Sequence, residues 1–199
     1  MTVFVLATHN AHKVDELRRI LGERLGHHQL IGYDGPEPVE DGDTFEANAL
    51  IKARAAAIFT GLPAIADDSG ICVDALDGAP GIHSARYAGT RDDGDNYRLL
   101  LKNMQGKVDR AAQFVCAAAV VDVAALDLGS PFEHTERGTW PGSVLEAPAG
   151  SGGFGYDPVF RPDGLEVSSA ELTPAQKDAD SHRGRAFGLL VAVLRARYG

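Results

Sequence analysis

Cysteine is scarce in this chain of 199 residues, which contains only two, so neither a disulfide framework nor a cysteine zinc site is expected. Both of them, Cys72 and Cys116, lie in apolar runs and are predicted to be buried free thiols. The H-E-x-x-H pattern of zinc proteases does not occur. No apolar run is long enough to span a membrane, and the first residues, MTVFVLATHN, lack the basic start and long apolar core of a signal peptide. We therefore expect a cytoplasmic protein that does not associate with membranes.

Positive charge is also in short supply, because 19 lysines and arginines face 28 aspartates and glutamates, for a formal net charge of −9. A broad basic face for nucleic acid is therefore not expected. A small basic pocket for an anionic small molecule is compatible with the same balance. The hydrophobic share of 44% is ordinary for a globular protein, and the length allows one domain or two small lobes.

Apolar periodicity predicts strands and helices that alternate in the first half of the chain and give way to strands in the second half. The predicted strands are Val3–Ala7, Leu30–Tyr33, Ala64–Ala66, Ile71–Val73, Ala111–Val123, Phe132–Trp140, Ser143–Glu146 and Val159–Phe160. The predicted helices are Ala11–Leu25, Phe45–Thr60, Asn96–Met104 and His182–Tyr198. This order predicts an α/β fold with a mixed sheet.

Two adjacent acids, Asp67 and Asp68, lie between two short apolar runs in PAIADDSGICVD. The pattern predicts a strand, an acidic turn and a second strand. In open α/β sheets, ligands bind outside the carboxyl ends of the strands, and Mg²⁺ takes one or two protein carboxylates together with phosphate oxygens and water. A metal site is therefore favoured over a plain surface turn.

The segment THNAHK follows the first predicted strand and begins the first predicted helix. Free amide groups and the helix dipole make such a position suitable for an anion. Asn10 is predicted to cap the helix, which places Lys13 in its first turn, where the dipole disfavours a cation. A bound phosphate would remove that conflict, although a capped helix with a solvated lysine explains the segment equally well.

An acidic loop leads into the second predicted helix in VEDGDTFEANALIKA. Asp43 or Thr44 is predicted to cap that helix. Taken alone, Glu40 and Asp41 are explained by capping, and Lys52 by exposure on the helix surface.

The loop GSGGFGYDP contains a G-x-G-x-x-G pattern at Gly150, Gly152 and Gly155. It does not predict a dinucleotide site, because the Tyr-Asp-Pro that follows cannot begin a regular helix. Two interpretations stay open for Phe154 and Asp157. They form a tight turn with a core phenylalanine, or they stack on and hydrogen-bond to a nucleobase.

The last predicted helix begins at KDADSHR, with Ser181 as its expected cap. His182 and Arg183 then lie in the first turn, where cations again oppose the helix dipole. An anionic or carbonyl-bearing ligand would resolve this second conflict.

Taken together, these segments resemble the inosine triphosphate pyrophosphatase family over nearly the whole chain. Each motif is weak by itself, but their common order and spacing are specific. The motifs that carry the resemblance are THNAHK, EDGDTFEANALIKA, AIADDSG, GAPGIHSARYAG, GTWPG, GGFGYDPVF and KDADSHR.

The resemblance implies a single domain over residues 1–199, with a long mixed sheet flanked by helices and two lobes that enclose a central cleft. It also implies a homodimer and Mg²⁺-dependent hydrolysis of ITP, dITP and XTP to the monophosphate and pyrophosphate. Metal binding is assigned to Glu40 and Asp68, with Asp67 as a further possibility. Asp68 is also the expected general base.

The resemblance implies nucleotide contacts for three groups of residues. The loop at the first helix and its neighbourhood would hold phosphates, the glycine-rich loop would hold the base, and the last segment would complete recognition. The residues are Thr8, His9, Asn10, Ala11, His12, Lys13, Lys52, Ser69, Phe154, Gly155, Tyr156, Asp157, Lys177, His182 and Arg183.

Two other functions stay open on the sequence alone. Related pyrophosphatases act on pyrimidine or modified nucleotides, and the cations of KDADSHR favour the purine enzyme over them. A regulatory protein that binds a nucleotide without turnover is disfavoured by Glu40, Asp67 and Asp68, because binding alone does not need an acidic metal site. Trp140 is compatible with either an interface or the core.

Overall fold

A computed structural model describes residues 1–124 and 131–199, apart from the side chain of Glu23. The strands in chain order are β1 (Val3–Leu6), β2 (Gln29–Gly32), β3 (Ala64–Val73), β4 (Ala111–Asp122), β5 (Phe132–Val144) and β6 (Phe160–Pro162). The α-helices are α1 (Ala11–Leu21), α2 (Phe45–Thr60), α3 (Asp93–Asn103), α4 (Pro174–Asp180) and α5 (His182–Tyr198). Among the described helices, none combines the length and the apolar character that a bilayer crossing requires.

Within the described residues the strands form one sheet in the order β2-β1-β3-β4-β5-β6. β1 pairs in parallel with β2 and with β3, whereas β5 and β6 are antiparallel. The predicted α/β class with a mixed sheet flanked by helices is therefore confirmed.

The chain divides into two compact units, and β3, β4 and β5 each contribute residues to both. Unit 1 comprises Met1–Asp68, Cys116–Gly138 and Arg183–Gly199, and unit 2 comprises Ser69–Val115 and Thr139–His182. In unit 1, apolar side chains of α1 and α5 pack on β1, β3 and β4, and Leu17, Ile65 and Phe187 are completely buried there. Unit 2 has its own core, which includes Leu100 and Phe160.

Local capping explains where the first two helices begin. The Asn10 side chain accepts a hydrogen bond from the Lys13 amide, as predicted for α1, and Thr44 caps α2 through the Ala47 amide. Helix α1 ends at Leu21, earlier than expected, and a short 3₁₀ segment follows. Helix α2 has the predicted bounds.

The predicted acidic turn is wrong, because Asp67 and Asp68 lie inside the continuous ten-residue strand β3. The turn was inferred because adjacent charges inside a strand are costly to bury. Both carboxylates have cationic partners from other elements, which offsets that cost. β5 is likewise one continuous strand instead of the two predicted pieces.

Candidate active site

The acidic pair of β3 is divided between the two faces of the sheet, because successive side chains of a strand point in opposite directions. Asp67 shares its face with Ile65, a member of the core formed with α1 and α5. Asp68 points to the other face, where its partners Asn48 and Lys52 belong to α2. The two carboxylates therefore do not act as one chelating pair.

Asp67 is held by cations from α1 and α5. Lys13 Nζ lies 3.1 and 3.0 Å from its two carboxylate oxygens, and Arg183 Nε lies 3.3 Å from Oδ2. Burial alone would raise the pKa of Asp67, but the charges of Lys13, Arg183 and Lys52 outweigh it and hold that pKa well below its ordinary value. With its side chain 0% exposed, Asp67 is a fixed counter-ion for the two cations.

Glu16 in α1 is another buried acid of unit 1. Its Oε2 accepts a hydrogen bond of 3.0 Å from Arg183 Nη1, and both side chains are buried. Arg183 is thus oriented by Glu16 and Asp67 together. The sequence places Lys13 and Arg183 at the starts of α1 and α5. The protein's own carboxylates, Asp67 and Glu16, pair with these cations, so a bound anion is not needed to explain them.

Asp68 and Glu40 converge on one ammonium group. Lys52 Nζ lies 2.9 Å from Asp68 Oδ1 and 2.9 Å from Glu40 Oε2. The other oxygen of Asp68 accepts a longer hydrogen bond, of 3.4 Å, from Asn48 Nδ2. Burial raises the pKa of Asp68, against the lowering effects of Lys52 and Lys13.

Glu40 and Asp68 have the oxygen donors that a divalent metal ion such as Mg²⁺ takes from proteins. Within the described ranges, no cluster of three or more acidic, histidine or cysteine side chains has the arrangement of a metal site. Mg²⁺ does not require such a cluster, since it is commonly held by one or two carboxylates with water and substrate phosphates. Glu40 and Asp68, which share the Lys52 ammonium group at 2.9 Å each, are a pair of carboxylates of that kind.

The loop between β1 and α1 carries the remaining predicted phosphate contacts. Thr8 Oγ1 accepts a hydrogen bond from the Asn10 amide at 3.2 Å, which shapes the turn. His9 is exposed and lies 3.3 Å from Glu37. Ala11 and His12 are exposed at the first positions of α1. Lys13 of this segment contacts Asp67.

In unit 2 the glycine-rich loop is organised by Asp157. This carboxylate is 1% exposed and accepts hydrogen bonds from the Phe154 amide at 2.9 Å, Lys177 Nζ at 2.5 Å and Ser169 Oγ at 2.8 Å. Three donors occupy it, so Asp157 holds the loop. The sequence left this turn role open beside a hydrogen bond from a base to Asp157, and the base contact stays a prediction.

Phe154 remains partly exposed, while its backbone amide is held by Asp157. Lys177 Nζ lies 4.9 Å from the ring centroid, a cation–π distance. Gly153 has a φ of +69°, and a Cβ atom there would collide with Asp157, so the turn requires glycine. The amide of Gly155 donates to Asp93 at 2.7 Å, which ties the loop to the start of α3.

Other predicted contacts in unit 2 have structural partners. Tyr156 is buried, and its hydroxyl donates to the Ser84 carbonyl at 2.8 Å. Ser69 is half-buried in β3. His182 is 2% exposed and stacks on Phe114. Trp140 is also 2% exposed, which places it in the core.

Sequence reasoning missed Glu16 and Asn48, which support the predicted residues. Asn48 interrupts an otherwise apolar stretch of α2, and its Oδ1 also accepts from the Gly42 amide at 2.9 Å. A polar asparagine among the apolar residues of this helix was the signal that the sequence offered. Helix α4 was missed as well, although Thr173, Pro174 and Gln176 form a capping box with proline at the first turn.

Comparisons with known proteins show the family to which the chain belongs. A model of the Ham1 family matches residues 4–193. The dITP/XTP pyrophosphatase of Leifsonia xyli is 53% identical over 201 residues, which cover 98% of this chain and 97% of the relative. That of Streptomyces coelicolor is 50% identical and covers 100% of both chains. The solved structure of a HAM1 protein from Coxiella burnetii matches 98% of this chain and 100% of its own, with a TM-score of 0.86 and 39% identity.

Proposed function

Because the chain belongs to the Ham1 family, we propose that it hydrolyses the non-standard purine nucleotides dITP, XTP and ITP to the monophosphate and pyrophosphate. The observation that carries the proposal is 53% and 50% identity, over nearly complete chains, to relatives named dITP/XTP pyrophosphatase. The family resemblance inferred from the motifs is confirmed. The nucleotide pool of the cytoplasm would be the place of action, and a homodimer is the expected assembly.

The first cluster suits the triphosphate. Thr8, Asn10 and Lys13 would bind phosphate oxygens at the start of α1, where the helix dipole also favours an anion. Lys52 would turn from its carboxylate partners towards the nucleotide. Glu40 and Asp68 would hold Mg²⁺, which, when bound, neutralises the charge of the phosphates and of the departing pyrophosphate.

Asp68 is the proposed base of the reaction. Its carboxylate would orient a water molecule towards the α-phosphorus and accept the proton that the water loses. The bond between the α-phosphorus and the oxygen that bridges to the β-phosphorus then breaks, and pyrophosphate carries that oxygen away. Asn48 steadies the carboxylate through its hydrogen bond to Oδ2.

The second cluster suits the base. Phe154 offers a partly exposed ring for stacking, and the carboxylate of Asp157 fixes its backbone by accepting a hydrogen bond from its amide. His182 and Arg183 can donate hydrogen bonds to the 6-oxo group of hypoxanthine or xanthine. Adenine carries a donor at the same position, which would leave these groups without an acceptor and so disfavour ATP. Guanine shares the 6-oxo group, so its rejection would require a contact at the 2-amino group.

Release of pyrophosphate tests the proposal. Wild-type protein with Mg²⁺ should release pyrophosphate from dITP, XTP and ITP faster than from ATP, GTP and dTTP. Omission of Mg²⁺ should abolish release. Faster release from dTTP would favour a pyrimidine enzyme, and binding of ITP without any release would favour a regulatory protein.

A further inference from the structure

We propose that Phe114 and Trp140 are positioning residues that set base discrimination by fixing the ring plane of His182. The inference rests on the proposed function, in which His182 contacts the base. It assigns a role in specificity to two aromatic residues that do not themselves need to touch the substrate.

The three rings form a stack in unit 2. The imidazole of His182 lies 4.7 Å from the ring of Phe114, with 13° between the planes. Trp140 lies 6.5 Å from His182, with 20° between the planes. Phe114, Trp140 and His182 are 6%, 2% and 2% exposed, so the stack is inside the protein.

The stack joins the start of a helix to the sheet. His182 is the first residue of α5, while Phe114 and Trp140 come from the neighbouring strands β4 and β5. Phe160 of β6 supports the two strand residues from the side, with its ring 4.5 Å from Phe114 at 63° and 5.7 Å from Trp140 at 57°. The ring plane of His182 is thus set by packing against β-sheet residues.

That plane decides where the imidazole nitrogens point. A hydrogen bond weakens steeply as it departs from linearity, so rotation of the ring would spoil the donor geometry towards a 6-oxo group. A rotated imidazole would also lose its parallel packing on Phe114. The stack therefore preorganises the donor, and preorganised donors discriminate because a substrate with the wrong group leaves them unsatisfied.

A purely structural role predicts something different. Loss of a core ring would then reduce stability, or reduce turnover of every nucleotide by the same factor. A positioning role predicts a change in the ratio of kcat/KM for ITP to kcat/KM for ATP. The ratio is therefore the informative measurement.

The test compares Phe114→Leu with the matched control Phe160→Leu. Both remove one buried ring of the same core, but Phe114 stacks on His182 itself, whereas Phe160 meets Phe114 edge-on. We expect Phe114→Leu to lower the ITP-to-ATP ratio by about tenfold, and Phe160→Leu to change it by less than about twofold. Urea unfolding should give similar losses of stability for the two variants.

Trp140→Phe provides a second variant that keeps an aromatic ring. It should shift the ratio in the same direction by about threefold, and it is informative even where Phe114→Leu fails to fold. The inference is overturned if the ITP-to-ATP ratio of kcat/KM is the same in Phe114→Leu and Phe160→Leu. If Phe114→Leu does not fold, an unchanged ratio in Trp140→Phe overturns it.

Failure of the inference can be told apart from failure of the proposed function. His182→Ala should itself reduce the ratio. A reduced ratio in that variant with no effect of the stacking variants refutes positioning alone. An unchanged ratio in His182→Ala refutes the base contact and the inference with it, while absence of ITP hydrolysis by the wild type refutes the proposed function.

Discussion

Asp67 and Asp68 are adjacent in β3, yet their carboxylates bind different lysines on opposite faces of the strand. Lys13 Nζ lies 3.0 Å from Asp67 Oδ2, and Lys52 Nζ lies 2.9 Å from Asp68 Oδ1. Asp67 is therefore a fixed counter-ion, whereas the next residue, Asp68, shares the Lys52 ammonium group with Glu40. The two acids are expected to respond differently to the same substitution.

Asp68→Asn should abolish hydrolysis while nucleotide still binds. The amide cannot accept the proton of the attacking water, so kcat should fall by about 100-fold or more. Steady-state release of pyrophosphate gives kcat, and calorimetric titration with ITP gives binding. Turnover like that of the wild type in this variant would contradict the assignment of Asp68.

Asp67→Asn should act mainly on stability. The change leaves Lys13 and Arg183 beside a neutral amide, and loss of one partner from a buried ion pair costs about 3–5 kcal/mol of unfolding free energy. Because the surrounding cations hold the pKa of Asp67 below its ordinary value, its ionised form stabilises the fold fully above about pH 4. That contribution is lost as the pH falls through the lowered pKa.

The measurement is urea unfolding of wild type and Asp67→Asn at a series of pH values. The difference in unfolding free energy should be constant between about pH 5 and pH 7 and should narrow below about pH 4. Asp15→Asn, at an exposed acid of α1, controls for the change in net charge. A difference that widens with acid would contradict the assigned pKa direction.

Local signals in the sequence predicted the fold well where they were complete. Helix α2 was predicted in full because Thr44 caps its start and Gly61 ends it in the left-handed conformation. The acidic pair of β3 was placed in a turn because its compensating charges are remote in sequence. Lys13 is 54 residues from Asp67, and Arg183 is 116 residues away. No local pattern reports such pairings.

The candidate site likewise contains residues that the sequence could suggest and residues whose roles depend on remote partners. Residue type and context favoured a metal role for Asp68, whereas Glu40 and Phe154 were assigned by the family resemblance, and all three assignments stay predictions. The supporting role of Asp157 was not evident, since it depends on donors brought from Ser169 and Lys177. The sequence also left Trp140 open between core and interface, and its burial decides for the core.

Lys52→Met should tighten the binding of Mg²⁺ in the absence of nucleotide. The ammonium group of Lys52 shares Glu40 and Asp68, the proposed metal ligands, and so competes with a cation for them. Burial alone would lower the pKa of Lys52, but Asp68, Asp67 and Glu40 outweigh it and raise that pKa, which keeps the competitor charged. The expected gain in affinity is about tenfold, which corresponds to about 1.4 kcal/mol.

Calorimetric titration with Mg²⁺ alone measures this affinity without reference to turnover. Arg54→Met is the matched control, because it removes one charge from the same helix at an exposed pair with Glu133. An equal gain in both variants would mean that net charge, and not competition at Glu40 and Asp68, sets the affinity. The turnover of Lys52→Met should nevertheless fall, because Lys52 is also a proposed nucleotide contact.

Phe154→Ala and Asp157→Asn should weaken substrate binding through one shared structure. Phe154→Ala removes the stacking surface and should raise KM by about tenfold with a smaller effect on kcat, since base stacking is worth about 1–3 kcal/mol. Asp157→Asn replaces the carboxylate that accepts from the Phe154 amide and Lys177, so it should also raise KM by misplacing the ring. If Asp157 acts by holding Phe154, the double variant should raise KM little more than Phe154→Ala alone. Multiplicative effects of the two substitutions on KM would instead mean that Asp157 contacts the nucleotide independently. Ser169→Ala removes only one of the donors to Asp157, so it should raise KM less than Asp157→Asn does.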